Sequence, residues 1–162
     1  MKERIKEIVN ETVSEMGFVC VEVNISLSKN TKKLMVVIYK NDGSISMNDC
    51  ADVSNVLRRR LDIDIAGFSD NYDLIVESPG ANRKLRNLKE VEIFKDREIE
   101  FFVKPVLKIK ENKIIGKVLS VMDEKIKIQS EIENKVYEID WNDITTARLY
   151  FDLKKYINRG GQ

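Results

Sequence analysis

The sequence predicts an α+β protein built in two parts. In the first part, two segments have apolar residues at helical spacing, and three others alternate or are apolar throughout, as strands do. After about residue 96 only short alternating segments remain. A basic turn with the sequence ESPGANRKLR lies between the two patterns at 77–86. We therefore expect an N-terminal α/β domain over residues 1–94 and a C-terminal all-β domain over residues 95–162.

Residues 3–16 are predicted to form the first helix. Their apolar side chains recur every three or four residues, and Gly17 can end the helix. The period changes to two over residues 18–27, which indicates a half-buried strand. Its buried face is predicted to carry Val19, Val21, Val23, Ile25 and Leu27.

The rest of the N-terminal part predicts two more strands and a second helix. Residues 34–39 are apolar on both faces, as in a central strand, and a turn at 41–43 follows. Ser46 and Asp49 form a capping-box pattern at the start of the second helix. With a third strand at 72–77, the order is α-β-β-α-β, and we expect two helices on one face of a three-stranded sheet.

The C-terminal part is predicted to hold five short strands. They lie at residues 98–104, 113–121, 125–129, 135–140 and 145–150. A single helical turn at 141–144 precedes the last strand, which is the plan of a small SH3-like or Sm-like β-barrel. A short helix, roughly 88–94, comes before the boundary, and the tail at 158–162 is expected to be mobile.

Composition and motifs argue against several classes of function. The 162 residues include 28 Lys and Arg against 27 Asp and Glu, so the net charge of +1 does not by itself indicate a nucleic-acid-binding protein. The absence of histidine excludes Ser-His and Cys-His nucleophilic sites. Neither a Walker-type phosphate loop nor a dinucleotide-binding glycine motif occurs. We therefore expect no enzymatic activity and no cofactor.

The sequence also predicts no metal site and no membrane span. Cys20 and Cys50 are the only cysteines, and without histidine they are too few for a zinc site. No signal peptide and no apolar run of about 18 residues is present, so we expect a cytoplasmic protein without a disulfide. The acidic residues that could suggest a metal are interpreted as helix-start residues, Asp49 and Asp52, and as loop residues, Asp62 and Asp64.

Cations are concentrated around the basic turn and the first loop of the predicted barrel. Residues 81–117 hold 11 Lys and Arg against 6 acidic residues, in a chain of net charge +1. Such a patch can meet RNA phosphates, although a solvated face without a partner would have the same composition. The candidate RNA-binding or ribosome-binding residues are Arg83, Lys84, Arg86, Lys89, Lys108, Lys110 and Lys113.

Neighbouring residues have simpler interpretations. Trp141, the only tryptophan, can be either a core residue or a partner-facing one. The residues predicted to shape the basic turn, as a type II turn with a positive φ at the glycine, are Ser78, Pro79 and Gly80. The residues interpreted as a solvated cationic last turn of the second helix are Arg58, Arg59 and Arg60.

Three stretches of the sequence carry a family resemblance. They are DGSISMNDCADVSNVLRRRL at 42–61, ESPGANRKLR at 77–86 and EIDWNDITTARLYFDL at 138–153. In this order, and over nearly the whole chain, they resemble the bacterial ribosome maturation factor RimP family. The family's helix motif falls on Asp49, Cys50 and Ala51. Its turn motif falls on Ser78, Pro79, Gly80, Arg83 and Leu85.

The resemblance implies a function and a set of partners. Members of the family bind the free 30S precursor and help it to mature without catalysing a reaction. Their N-terminal domain is KH-like, and their C-terminal barrel contacts the ribosomal protein uS12. The implied partners are therefore the small ribosomal subunit, through its rRNA and uS12, and the chain is expected to be a monomer. The alternative is a general RNA-binding or RNA-chaperone module of the KH plus Sm-like type.

The basic turn departs from the family pattern in a way that bears on binding. The family's Leu-Asp pair is Ala81-Asn82 here, and its proline after the arginine is Lys84. Loss of the aspartate removes an expected partner of Arg83. Both changes make the loop more basic, which favours direct contact with phosphate.

Overall fold

Residues 1–28, 30–41 and 45–150 are described by the computed structural model of the protein. They divide between two units, Met1–Pro79 and Gly80–Gln162. The predicted turn at 41–43 lies partly, and the predicted mobile tail wholly, outside the described residues. Within the described parts of the chain, no helix is long and apolar enough to cross a membrane.

The described part of the N-terminal unit contains three helices and a three-stranded sheet. The helices are α1 (Lys2–Glu15), α2 (Met47–Asp64) and α3 (Phe68–Asn71), and the strands are β1 (Val19–Leu27), β2 (Lys32–Tyr39) and β3 (Tyr72–Glu77). The sheet order is β1-β2-β3, with β1 antiparallel and β3 parallel to β2. The predicted α-β-β-α-β order and the central position of β2 are confirmed, and the one-turn helix α3 is an addition.

The core of this unit lies between α1, α2 and one face of the sheet. Leu34, Val36 and Ile38 of β2 are fully buried. They form one cluster with Val9 of α1 and Leu57 of α2. Because alternate residues of a strand share a face, both helices cover the same side of the sheet, as predicted.

Strand β1 changes its buried face at a β-bulge. Its register with β2 shifts between Cys20 and Glu22, so Val21 is the extra residue. The core contacts come from Cys20 before the bulge and from Ile25 after it. The predicted buried face is therefore wrong before the bulge, because one inserted residue reverses the alternation. It is also wrong at Leu27, which is 55% exposed at the end of the strand.

Helix α2 begins as predicted and ends later than predicted. The Ser46 hydroxyl accepts a hydrogen bond from the Asp49 N–H at 3.0 Å, and the Ser46 N–H donates to the Asp49 carboxylate at 2.9 Å. This is the expected capping box. The helix continues to Asp64, so the arginine run 58–60 lies before the last turn rather than in it. The interpretation of Asp62 and Asp64 as loop residues is wrong, because both lie within the helix.

The charged residues near the end of α2 make local contacts. The Asp62 carboxylate accepts hydrogen bonds from the Ser69 N–H at 2.8 Å and from the Ser69 hydroxyl at 2.5 Å. Arg60 forms an ion pair with Glu15 of α1 at 2.6 Å and donates to the Thr12 hydroxyl at 3.2 Å. Arg60 therefore helps to join α2 to α1, which the sequence pattern did not reveal.

The described part of the C-terminal unit contains one short helix and six strands. The helix is α4 (Leu88–Ile93), and the strands are β4 (Lys84–Leu85), β5 (Ile99–Val103), β6 (Lys113–Met122), β7 (Lys125–Ser130), β8 (Lys135–Asp140) and β9 (Ile144–Leu149). Three 3-10 turns lie at Pro105–Leu107, Lys110–Asn112 and Trp141–Asp143. All five predicted strands are present, and so is the helical turn before the last strand.

The six strands form one antiparallel sheet in the order β4-β9-β5-β6-β7-β8. The first half of β6 pairs with β5 and the second half with β7. Among the described residues the outermost strands, β4 and β8, share no ladder, so a closed barrel is not confirmed. The coarser prediction of an α+β chain with an antiparallel C-terminal sheet is confirmed.

The units divide earlier than the boundary predicted at residue 94. Strand β4 pairs with β9, and α4 contacts β6, so both elements belong to the second unit. Val91 and Phe94 are fully buried there. Helical spacing in α4 resembles the N-terminal pattern, and a strand of two residues has no detectable period. For these two reasons the sequence placed the boundary too late.

Candidate RNA-binding surface

The basic turn leads directly into strand β4. The Arg83 N–H donates to the Gly80 carbonyl at 3.2 Å and closes a turn over residues 80–83. The backbone of Gly80 does not have a positive φ, so the predicted type II turn at this glycine is wrong. Ser78 and Gly80 are exposed and Pro79 is half-buried. The role of these three residues in shaping the loop stays a prediction.

Arg83 is held inside the unit by an acidic partner. Its Nε and Nη2 donate to the Glu90 Oε1 at 3.1 and 3.0 Å, and the two side chains are only 12% and 6% exposed. The Glu90 N–H donates to the Asn87 side chain at 2.9 Å, at the start of α4. The pair therefore joins the basic turn to α4. Glu90 thus gives Arg83 an acidic partner that does not depend on the family's aspartate, and an RNA-binding role for Arg83 stays a prediction.

Strand geometry explains which cations of the turn reach the surface. Leu85 is buried on the same side as Arg83, whereas Lys84 and Arg86 are exposed. This is the alternation expected of extended backbone, in which successive side chains point to opposite faces. Pairing with β9 places Lys84 opposite Arg148, which is also exposed. Three cations therefore occupy the outer face at this edge of the sheet.

A groove beside β4 brings two of these cations next to the only tryptophan. Lys84, Arg86 and Trp141 line the groove together with residues of β9, and its volume is about 230 Å³. The Trp141 side chain is half-buried. The Trp141 backbone N–H donates to the Glu124 carbonyl at 2.8 Å, which anchors the 3-10 turn before β9. We call this the Trp141 groove, and it combines an aromatic ring with two positive charges.

The same face of the sheet continues across β9, β5 and β6. Phe102 of β5 lies opposite Thr146 of β9 on one side and opposite Lys113 of β6 on the other. The Phe102 side chain is 36% exposed. From β4 to β6 the face spans three strand spacings, or about 14 Å. We call this surface the basic face, and it is formed by Lys84, Arg86, Phe102, Lys113 and Arg148.

Acidic residues offset part of the charge of the basic face, and one of them, Glu111, pairs with Lys113 at 3.9 Å. Glu100 lies opposite Arg148 across the β5–β9 ladder, while Lys84 lies opposite Arg148 on its other side. Cross-strand neighbours of opposite charge attract each other, so Arg148 is partly neutralised.

The other predicted cations of the set lie away from the Trp141 groove. Lys89 is exposed on α4, and Lys108 and Lys110 are exposed in the connection between β5 and β6. None of the three is among the residues that line the groove. The structure thus places Lys84 and Arg86 at the groove and Lys113 on the same face of the sheet, and RNA-binding roles for all seven predicted residues stay predictions.

Sequence reasoning missed Arg148 and Phe102 as surface residues of interest. Both residues fall on outward positions of predicted strands, and Phe102 stands between two inward residues, Phe101 and Val103. An aromatic residue at an outward position of an alternating strand was the available signal. The position of Arg148 beside Lys84 could not be read, because it depends on the pairing of β4 with β9.

The chemistry of the basic face is noncovalent binding. Positive charge attracts the phosphates of a nucleic acid, and exposed aromatic rings stack on its bases. In the described parts of the chain, no group of three or more Cys, Asp or Glu residues is placed to hold a metal ion. Both cysteines lie in the N-terminal unit, and neither forms a disulfide.

Comparison with known protein families bears on the N-terminal unit. Residues 8–82 match the family model described as the RimP N-terminal domain. The match begins within α1, includes the whole three-stranded sheet and the capped helix α2, and ends in the basic turn. This match confirms, over the N-terminal unit, the RimP family expected from the sequence motifs.

Proposed function

We propose that this protein is a non-catalytic assembly factor that binds the free precursor of the small (30S) ribosomal subunit. The match of residues 8–82 to the RimP N-terminal domain supports this proposal at the level of ribosome maturation. The observation that carries the RNA contact is the basic face, where Lys84 and Arg86 lie beside Trp141. The proposed partners are the rRNA of the small subunit and the ribosomal protein uS12, and the proposed working state is a cytoplasmic monomer.

The charge distribution suits a factor that binds reversibly. A chain of net charge +1 has little long-range attraction for RNA in general. A few cations on one face give a local, salt-sensitive attraction instead. Such a protein can associate with a maturing particle and dissociate again, which an assembly factor has to do.

The proposed folds are a KH-like domain for the N-terminal unit and an SH3-like or Sm-like barrel for the C-terminal unit. The N-terminal unit has the element order expected of a KH-like domain, with one extra helical turn. Besides the two-residue strand β4, the C-terminal unit has the five predicted strands, β5 to β9, and a helical turn before the last one, which supports an SH3-like or Sm-like barrel plan. In this proposal the barrel-like unit is the one that meets uS12.

Sedimentation of a cell extract tests the proposal. The tagged chain should peak with free small subunits or their precursors, and not with complete ribosomes. Lys84→Glu combined with Arg86→Glu should reduce that peak and increase the protein at the top of the gradient. Arg83 is left unchanged because its removal is expected to disturb folding. Lys2→Glu combined with Lys6→Glu is the matched control, since both lysines are exposed on α1 and the charge change is equal.

The outcome separates the proposal from its alternative. Protein found only at the top of the gradient at low salt would refute a function on the small subunit. A general RNA-binding module would then be the better description, provided that the chain still bound isolated RNA through the same two residues.

A further inference from the structure

We infer that the Trp141 groove binds an unpaired nucleotide of RNA, with its base against the indole ring and its phosphates near Lys84 and Arg86. The inference rests on the proposed RNA-binding function and specifies the form of RNA that is recognised. It also gives Trp141 a partner-facing role, one of the two possibilities that the sequence left open.

The size and lining of the groove fit one flat ring. Its volume of about 230 Å³ lies below the range of about 300–1,000 Å³ that is usual for small-molecule pockets. Trp141 and Ile144 supply apolar surface, while Thr145 and Thr146 add hydroxyl groups that can donate or accept hydrogen bonds. A nucleobase has this combination of an apolar face and a polar edge, and bases of single-stranded RNA stack on aromatic side chains.

The charges around the groove fit the backbone that carries the base. Lys84 and Arg86 both line the groove, and Arg148 lies opposite Lys84 on the neighbouring strand. Guanidinium groups bind phosphate with two parallel hydrogen bonds, and ammonium groups bind it as point charges. No acidic residue is among the lining residues of the groove. The site thus places cations close to a stacking surface, as in proteins that follow a single strand.

An unpaired nucleotide is favoured because a duplex hides the faces of its bases. In a helix each base is stacked between its neighbours, and exposing one costs a few kcal/mol. A groove that must reach a base face therefore selects single-stranded segments. Such selectivity would let the protein bind rRNA before a helix forms and would weaken binding once the bases pair.

Fluorescence gives a local test, because Trp141 is the only tryptophan of the chain. The full chain would be titrated with a mixed-sequence single-stranded RNA, with the same strand annealed to its complement, and with an abasic strand of equal length. Base stacking on the indole should quench its emission in a saturable way. The duplex and the abasic strand should bind at least about tenfold more weakly than the single strand and should quench less.

Variants connect the signal to named residues. Trp141→Ala should weaken binding of fluorescently labelled single-stranded RNA by about 5- to 150-fold, and Trp141→Phe should restore part of it, because a smaller ring still stacks. Lys84→Glu with Arg86→Glu should lower the slope of log affinity against log salt by about 1.4, for two lost phosphate contacts. Lys2→Glu with Lys6→Glu should leave affinity unchanged. Near-native circular dichroism would show that a variant is folded.

The possible results separate this inference from the proposed function. Equal quenching by the duplex or by the abasic strand would overturn the inference, because the groove would then recognise charge alone. Unchanged emission with single-stranded RNA would overturn it as well. If the protein sedimented with small subunits while either of these results held, the function would stand without the inference. Specific quenching without such sedimentation would leave the nucleotide site standing and remove the function.

Discussion

Substitution of Arg83 by alanine should destabilise the C-terminal unit, although Arg83 belongs to a basic cluster that looks like a surface patch in the sequence. The Arg83 side chain is 12% exposed, and it donates two hydrogen bonds to the Glu90 carboxylate, which is 6% exposed. Removing one partner of a buried ion pair costs about 3–5 kcal/mol, because the remaining charge is left without compensation. Slight exposure of both side chains favours the lower end, about 3 kcal/mol.

The comparison with Lys84→Ala makes the prediction specific. Lys84 precedes Leu85 in the same strand and is exposed, so its removal should change the free energy of unfolding by less than about 0.5 kcal/mol. Arg83→Ala should therefore unfold the C-terminal unit at much lower denaturant than Lys84→Ala. Lys84→Ala should instead weaken RNA binding while the protein stays folded.

Urea denaturation followed by Trp141 fluorescence measures the difference in stability between the two variants, because Trp141 lies in the C-terminal unit. With a slope of about 1–1.5 kcal/mol per molar urea, a loss of 3 kcal/mol lowers the midpoint by about 2–3 M. Glu90→Ala should have a similar effect. The double variant should lose less than the sum of the two single losses, because each removes the other's unpaired charge. A cost below about 1 kcal/mol for Arg83→Ala would refute the reasoning, since that value is typical of a solvated surface pair.

Two further predictions concern positions whose surroundings differ sharply. Gly116→Ala should lower the free energy of unfolding, measured in urea, by about 2 kcal/mol or more, because a Cβ at this position would lie 2.2 Å from the Gln129 carbonyl oxygen. Gly80→Ala should be nearly neutral, because a Cβ there meets nothing within 4 Å. Equal losses for the two glycines would contradict this. Asp62→Asn should reduce the loss of stability in acid. Hydrogen bonds from the Ser69 hydroxyl and N–H lower the pKa of Asp62 in the folded protein. The ionised Asp62 therefore stabilises the fold above about pH 4, and this stabilisation disappears as the pH falls through the lower folded pKa. Unfolding free energies measured between pH 2 and pH 7 should therefore fall less steeply at the acidic end in the variant, and identical pH profiles would count against the effect.

Regular periodicity made most of the fold predictable. The capping box at Ser46 and Asp49, the central strand β2 and the five strands of the C-terminal sheet all left local patterns. Strand β1 was predicted only in part, since a single extra residue at Val21 reverses its faces without changing its composition. A local pattern predicts only local geometry, whereas a bulge depends on the register with the partner strand, so the pattern could not show it.

The candidate site was less predictable because it depends on contacts distant in sequence. Lys84 and Arg86 were recognised from charge alone, but burial of Arg83 requires Glu90 of the next helix. The position of Trp141 at a groove depends on β4 and β9, which are paired across about sixty residues of chain. Charge and composition identified the cations, while only topology could show which of them share a face.

The pairing of β9 has a consequence for the order in which the C-terminal unit folds. Strands β5 to β8 pair with their neighbours in sequence, so they can form early through short loops. Strand β9 must instead insert between β5 and β4, and this closes much longer loops at a higher cost in chain entropy. The walls of the Trp141 groove come from β4, β9 and the turn between β8 and β9. The groove should therefore be the last part of the unit to form and the first to be lost on partial unfolding. Only the completely folded unit would then bind RNA through this groove.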